Sequence, residues 1–510
     1  MDNILTEEFL EITKEKNGKK MFFASLKVLL ILLFFIVSLM FYAARWYISI
    51  YGATGFDSIL FTLFSNMTGV EPEIVKTLVI GTVIPAVLQT AAASVLLFVR
   101  FKNAKAIHIK NICSLIIIFL LSVYFFVDAG IKSNLFNYMY KIIEQTKIYE
   151  EKYVSPDSVN IEFPAKKKNL IYIFLESVET TFMSENVGGA LPKNVIKELY
   201  DLAKVNVNFS HNDGVGGFLT PQGTTWTVAA LVGQTSGIPL KASPGVLANN
   251  EYGKEAFLPG AVTMMDILGK NGYNQAFIIG SDGSYANRNV YFKDHSTENI
   301  YDLFCAREDG VVAEDYYEWW GMEDKYLFRY AKEKILELSK EKEPFCVNIL
   351  TVDTHFPDGY KCSMCKENYQ EQYSNVLSCS SRQVLDFVNW VKRQRFYKNT
   401  TIIIAGDHLT MDNAYIERNV DNEYDRRVYN CIINSSVKSD NYKNRQFTSL
   451  DMFPTALASI GCEIEGERLG LGTNLFSNKP TYVEEMGYLE FDRQISMSSN
   501  YYIKNFMVGK

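Results

Sequence analysis

The chain has 510 residues, too many for one ordinary domain, with 48% hydrophobic and 14% aromatic residues. That composition excludes a disordered or fibrous protein, and a formal net charge of -7 removes the basic surface that nucleic-acid binding needs. The average hides a division: the long apolar runs fall within residues 1–130, and the remainder reads as a water-soluble domain.

Three apolar runs open the chain, at Val28–Ala44, Thr77–Val99 and Ile112–Val127, each with uncharged flanks where needed. A span needs about 20 mainly apolar residues, so three transmembrane helices are expected. A cleaved signal peptide is a poor reading of the first, because no small-residue cleavage site follows it. Lys14, Lys16, Lys19 and Lys20 precede the first run, and Arg100, Lys102, Lys105 and Lys110 separate the second from the third. Short basic segments stay in the cytoplasm, which places residue 131 onward outside a multi-pass cytoplasmic-membrane protein. Between the first two runs, Phe56–Phe64 is apolar but too short to span, and reads as an interfacial segment packed on the helix bundle.

Residues 131–165 are polar and helical in pattern, a linker helix leaving the membrane. Short β-rich runs then recur at Asn169–Leu175, Ala276–Ile279, Phe345–Thr351 and Thr400–Ala405, separated by helical stretches such as Lys325–Ser339 and Gln383–Arg395. This alternation predicts an α/β domain with a largely parallel central sheet. Ligands of such sheets bind at the carboxyl ends of strands, so polar residues just past the runs are the candidates.

Glu176 follows the first run, His355 the third, and Asp407 with His408 the fourth. Carboxylates and an imidazole brought to one sheet edge suit a divalent cation: Mn²⁺, Mg²⁺ or Zn²⁺. Phe218–Leu240 holds a turn at Gly223, and Thr224, Thr225 and Trp226 then open an apolar helix. A hydroxyl there serves equally as an N-cap or as a nucleophile facing a phosphate held by the helix amides. After Ile279, one loop offers Asp282, Arg288 and His295, of which Arg288 suits bidentate phosphate binding. Of eight cysteines, Cys362 and Cys365 form a CxxC followed by Cys379; a local disulfide stapling a loop is expected, since a second close pair for a zinc knuckle is missing.

In order along about residues 165–480, NLIYIFLES (169–177), GTTWT (223–227), THFPDGY (354–360), AGDHLTM (405–411), LDMFPTALASIG (450–461) and RLGLGTNLF (468–476) resemble the sulfatase and alkaline-phosphatase superfamily. The likeness is to its lipoteichoic acid synthase and phosphoglycerol transferase branch. The resemblance implies a catalytic domain at 166–480, an anchor at 1–130, a linker at 131–165 and a C-terminal extension at 481–510. It implies Glu176, Asp407 and His408 as metal ligands, with manganese first among the candidates. Thr225 becomes nucleophile and fourth ligand, with Thr224 and Thr227 close by, and His355 handles the phosphoryl group or a proton. Arg288, with Asp282 and His295 on its loop, binds the head group. The tryptophan that lipoteichoic acid synthases carry near this arginine is replaced here by Ala286. The implied reaction moves phosphoglycerol from a membrane phospholipid, phosphatidylglycerol, to an envelope glycan or polyglycerolphosphate acceptor. Phosphoethanolamine transfer and a non-catalytic binding role are the alternatives. The CxPSR motif of true sulfatases is missing, which argues against sulfate-ester hydrolysis.

Overall fold

The computed structural model describes residues 2–51, 55–66, 68, 70, 72–99, 104–242, 256–439 and 441–509. The chain divides into two compact units, one of residues 1–53 and 72–137, the other of 54–71 and 138–510.

The first unit is helical. Its apolar stretches Ala24–Tyr51, Pro72–Phe98 and Ile109–Lys132 are each long and apolar enough to cross a membrane. Phe34, Val37, Ala93, Leu97, Ile118 and Phe125 form their shared core, while Leu29, Leu88 and Leu120 stay exposed. Apolar side chains on the outside are what a lipid-facing bundle presents. Arg45 pairs with Asp128 across this core and lies 3.5 Å from the Phe41 ring centre. Arg100 and Lys102, counted in the basic segment, lie outside the described residues, as do the side chains of Lys14, Lys16, Lys19, Lys20 and Lys105.

The second unit is an α/β domain. In chain order its first strands are β1 (Ile161–Glu162), β2 (Asn169–Leu175), β3 (Gly217–Phe218), β4 (Asn274–Ile279) and β5 (Asn299–Tyr301). β6 (Phe345–Leu350), β7 (Thr400–Gly406), β8 (Val428–Ile433) and β9 (Glu463–Ile464) follow. Seven form one sheet in the order β3-β8-β7-β2-β6-β4-β5. β2 pairs parallel with β6 and β7, and β4 parallel with β5 and β6. β8 and β3 close one edge antiparallel. Every residue of β2, β6 and β7 is buried, because helices cover both faces and leave no side for a polar alternation. Leu170, Tyr172 and Phe174 point to one core and Ile171, Ile173 and Leu175 to the other.

The four sequence-predicted strands stand within a residue or two of their expected bounds. Residues 131–165 differ: instead of one linker helix the chain breaks at Asn134, where φ is +59°, into Leu135–Ile143 and Ile148–Glu151. The tail at 481–510 is no appendage. Phe491, Ile495, Tyr502 and Phe506 are buried in the main core, and the Tyr149 hydroxyl donates to the Ile495 carbonyl. The short helix Phe56–Phe64 is also reassigned. Phe61 is buried in the α/β core, 5.9 Å from the Trp226 ring and 6.4 Å from Phe257, and the Ala286 amide donates to the Asn66 carbonyl. It therefore packs on the α/β domain, because its Phe61 ring finds two aromatic partners there.

Candidate active site and metal centre

Four parallel strands deliver the candidate residues. β2 ends at Leu175 and hands over Glu176, and Ser177 turns the chain at φ +57°. β7 hands over Asp407 and His408, β6 leads to His355, and β4 leads to the loop of Arg288. Ligand atoms of Glu176, Asp407 and His408, all buried, lie within 4.8 Å of one another.

The wiring of this cluster leaves its centre open. Asp407 Oδ1 accepts the amides of Ser177 at 2.8 Å and His408 at 2.7 Å. Its other oxygen, Oδ2, is buried without a hydrogen-bond partner. His408 turns Nδ1 to the Leu409 carbonyl at 2.8 Å, which puts the proton there and leaves the Nε2 lone pair for a ligand. That Nε2 lies 3.4 Å from Asp407 Oδ2 and 3.6 Å from Glu176 Oε1. Burial and then the Glu176 charge push the Asp407 carboxyl up to about 7. Burial opposes ionisation of Glu176 as well, but the His355 and His408 charges hold it below the usual range. Burial works against the His408 charge too, yet Asp407 and Glu176 raise its pKa. Two carboxylates with one unpartnered oxygen between them fit a divalent cation, which supplies the missing partner and the compensating charge.

The threonine that reaches the cluster is Thr227. Its hydroxyl donates to Glu176 Oε2 at 3.2 Å and lies 3.4 Å from His408 Nε2. Thr225, the residue expected there, lies in the preceding turn, and no hydrogen bond joins it to the cluster. Thr224 is buried and donates back to the Pro221 carbonyl at 2.7 Å. The reason is where the helix starts. Trp226 is still extended (φ -140°, ψ 159°), so the helix runs Thr227–Ser236 and Thr227 is its first residue. Gly223 makes the turn possible at φ +80°; a Cβ there would meet Leu240 O at 2.8 Å. Gln234, which the sequence reading did not single out, donates to the Gly406 and Asp407 carbonyls and accepts from Tyr172. It thereby fixes the helix of Thr227 against the strand of Asp407.

His355 donates Nδ1 to the Phe356 carbonyl at 2.7 Å, which frees Nε2. Burial lowers its pKa while Glu176 raises it. Arg288 is buried and bonded through Nε and Nη2 to Tyr285 O, Ser281 Oγ and Asp282 O. Burial lowers its pKa to about 10, with Glu176 among the charges acting against that. Trp320, also unforeseen, is buried 4.7 Å from the His355 ring and 5.6 Å from Tyr285. It brings an indole beside the loop where Ala286 replaces the expected tryptophan. Asp282 and His295 are not brought to the cluster. Asp282 Oδ1 caps its own turn by accepting from Ser284 N and Oγ. Both ring nitrogens of His295 are occupied, by Asp266 Oδ2 at 2.8 Å and Phe257 O at 3.0 Å.

Acid and imidazole donors at the carboxyl ends of a parallel sheet, with a hydroxyl on a helix N-terminus, are the parts of a metal site for an anionic ester. The chain belongs to the sulfatase family, whose model matches residues 168–462. It is 32% identical over 258 residues to phosphoglycerol transferase I of Escherichia fergusonii, covering 49% of this chain and 32% of that one. To phosphoglycerol transferase I of Xanthomonas axonopodis pv. citri it is 31% identical, over 49% of this chain and 34% of the relative. The chain thus spans about a third of the length of these curated relatives. The lipooligosaccharide phosphoethanolamine transferase A structure from Neisseria meningitidis has the same fold, at TM-score 0.50 and 12% identity over 86% of this chain and 84% of that one.

Proposed function

We propose that this protein is a membrane-anchored phosphoglycerol transferase that works through Thr227. The observation that carries the reading is the Thr227 hydroxyl, 3.2 Å from Glu176 and 3.4 Å from His408 at a helix N-terminus. The similarity to phosphoglycerol transferases supports the group transferred. Glu176, Asp407 and His408 hold a divalent ion, manganese first among the candidates, which when bound lowers the pKa of the Thr227 hydroxyl and offsets charge on phosphoryl oxygens.

Thr227 Oγ1 attacks the phosphorus of phosphatidylglycerol as its proton passes to the free His355 Nε2. The bond to the diacylglycerol oxygen breaks, and that oxygen leaves with a proton from His355 Nε2. An acceptor hydroxyl then attacks the glycerophosphoryl-threonine, gives its proton to the same nitrogen, and releases Thr227, whose oxygen leaves with that proton. The free helix amides at Thr227 favour the phosphate charge throughout. Arg288, Tyr285 and Trp320 form the wall for the glycerol head, with Trp320 in place of the tryptophan missing at 286. The acceptor is an envelope glycan or polyglycerolphosphate chain. The anchor spans three times with the catalytic domain outside, which the basic residues before the first span and between the second and third support.

The test supplies purified full chain with labelled phosphatidylglycerol and Mn²⁺, with labelled phosphatidylethanolamine in parallel. Diacylglycerol release from the first and a labelled peptide at Thr227 are expected. Folded Thr227→Ala protein that still releases diacylglycerol would overturn the nucleophile, and preference for the second lipid would overturn the donor.

A further inference from the structure

On the loop that follows His355, three sulfurs converge. Cys362 and Cys365 sit on the loop after β6, and Cys379 sits inside the helix Gln372–Lys392. All eight cysteines are free thiols, so the expected disulfide is not formed. Instead Cys362 Sγ lies 3.7 Å from Cys365 Sγ and 3.8 Å from Cys379 Sγ, and the three sulfurs lie within 4.8 Å of one another.

The spacing is informative. A zinc–sulfur bond of about 2.3 Å in a tetrahedral site separates neighbouring sulfurs by about 3.8 Å. A disulfide closes two sulfurs to about 2.0 Å and has no use for a third. Cys362 and Cys379 are buried, and Cys365 is half-buried, which leaves a way in for an ion and one more ligand. Gln383, buried on the same helix, directs its amide nitrogen at Cys379 Sγ at 3.6 Å and more weakly at Cys362 Sγ at 4.0 Å. N–H donors aimed at sulfur are the outer support of thiolate ligands.

We propose that Cys362, Cys365 and Cys379 form a second metal site, a thiolate site for zinc, that pins the loop of His355 to the helix Gln372–Lys392. Soft thiolates select zinc over manganese or magnesium, so the two sites of this chain bind different ions. The pinned loop is short and already hooked at other points. The Tyr360 amide donates to the Asp353 carbonyl, and the Tyr373 hydroxyl donates to the Thr354 carbonyl, next to His355.

The experiment uses the full chain, purified in detergent under reducing conditions, and reads metal content and cobalt spectra. Cobalt loaded in place of zinc should give a thiolate-to-cobalt charge-transfer band that Asp407→Asn leaves intact. Cys365→Ser, at the half-buried position where folding is least at risk, should weaken that band and lower bound zinc. In wild type, the three thiols should resist alkylation until a chelator is added under denaturing conditions. A missing charge-transfer band, or equal zinc in wild type and Cys365→Ser, would overturn the site, as would a disulfide-linked peptide joining any two of the three in protein purified without reductant. None of these readouts depends on transferase activity, so failure here and failure of the proposed reaction are separable.

Discussion

Two histidine–carboxylate groups lie in the same domain, and they have opposite characters. At His295, every partner is supplied by the fold. Asp266 Oδ2 receives Thr263 N and Oγ1 at 2.9 Å and His295 at 2.8 Å, its Oδ1 receives Ser296 Oγ, and the second ring nitrogen meets a carbonyl. At His408, the fold stops short: one nitrogen is tied to a carbonyl and the other faces two carboxylates, one with an oxygen that has no hydrogen-bond partner. Both histidines are buried, so burial alone does not separate structure from chemistry. What separates them is whether the polar inventory closes without an added ion.

The contrast is sharpest at the hydroxyls. Thr227→Ala should lower turnover by at least about 10³-fold, the loss typical of removing a covalent nucleophile. Thr225→Ala, two residues away and outside the cluster, should stay within about threefold in the same diacylglycerol assay. A reversed order would return the nucleophile to Thr225.

Asp407→Asn against Asp266→Asn is the direct test of the comparison. Asp407→Asn should lose metal and activity by about 10²-fold or more while thermal stability holds or rises, since it removes one of two buried like charges. Asp266→Asn should lower stability by about 1–3 kcal/mol, because His295 and the Thr263 cap lose a charged acceptor, with activity per folded molecule retained. Differential scanning calorimetry with metal analysis reads both; stability loss in the first or activity loss in the second breaks the distinction.

Phe61→Ala removes the ring that packs on Trp226 and Phe257, at a cost of about 3 kcal/mol. It should show as faster proteolysis of residues 55–66 and, through Trp226 beside Thr227, as a modest fall in turnover. Unchanged proteolysis would place that helix elsewhere.

The smallest effect concerns pH. Asp324 and Asp353 are buried together and exchange amide hydrogen bonds. Burial raises Asp324 from 3.8 to about 7, and burial with the Asp324 charge raises Asp353. A folded-state pKa above the unfolded one means the protonated form is favoured by folding. The contribution is fully present below 3.8 and is lost as pH rises through about 7. Asp324→Asn should therefore flatten the fall of melting temperature across that window, measured by thermal unfolding at fixed ionic strength.

Much of this was legible in the residues. The parallel strands are unbroken apolar runs because both faces are covered, and Glu176, Asp407 and His408 stand just past their ends. Thr227 was not legible, because the choice among three threonines depends on where the helix begins. Trp226 remains extended with no side-chain cap to announce the boundary. His295 misled because loop spacing cannot reveal that Asp266, from the preceding helix, would claim it. Trp320 was hidden because it arrives from a separate loop. Val428–Ile433 carries a strand signal in its β-branched and aromatic residues on both sides of Asn430, though nothing in it specifies antiparallel pairing.

The packing of Phe61 and of the 491–507 tail against the same core has a consequence for biosynthesis. Phe61 emerges early from the ribosome, Trp226 and Phe257 much later, and Tyr502 and Phe506 later still, yet all share one core. A core stitched from such distant segments cannot close until residues 491–507 have been made. The domain must wait, unfinished and with aromatic surface showing, until these helices arrive, and that interval is when a folding helper would matter most.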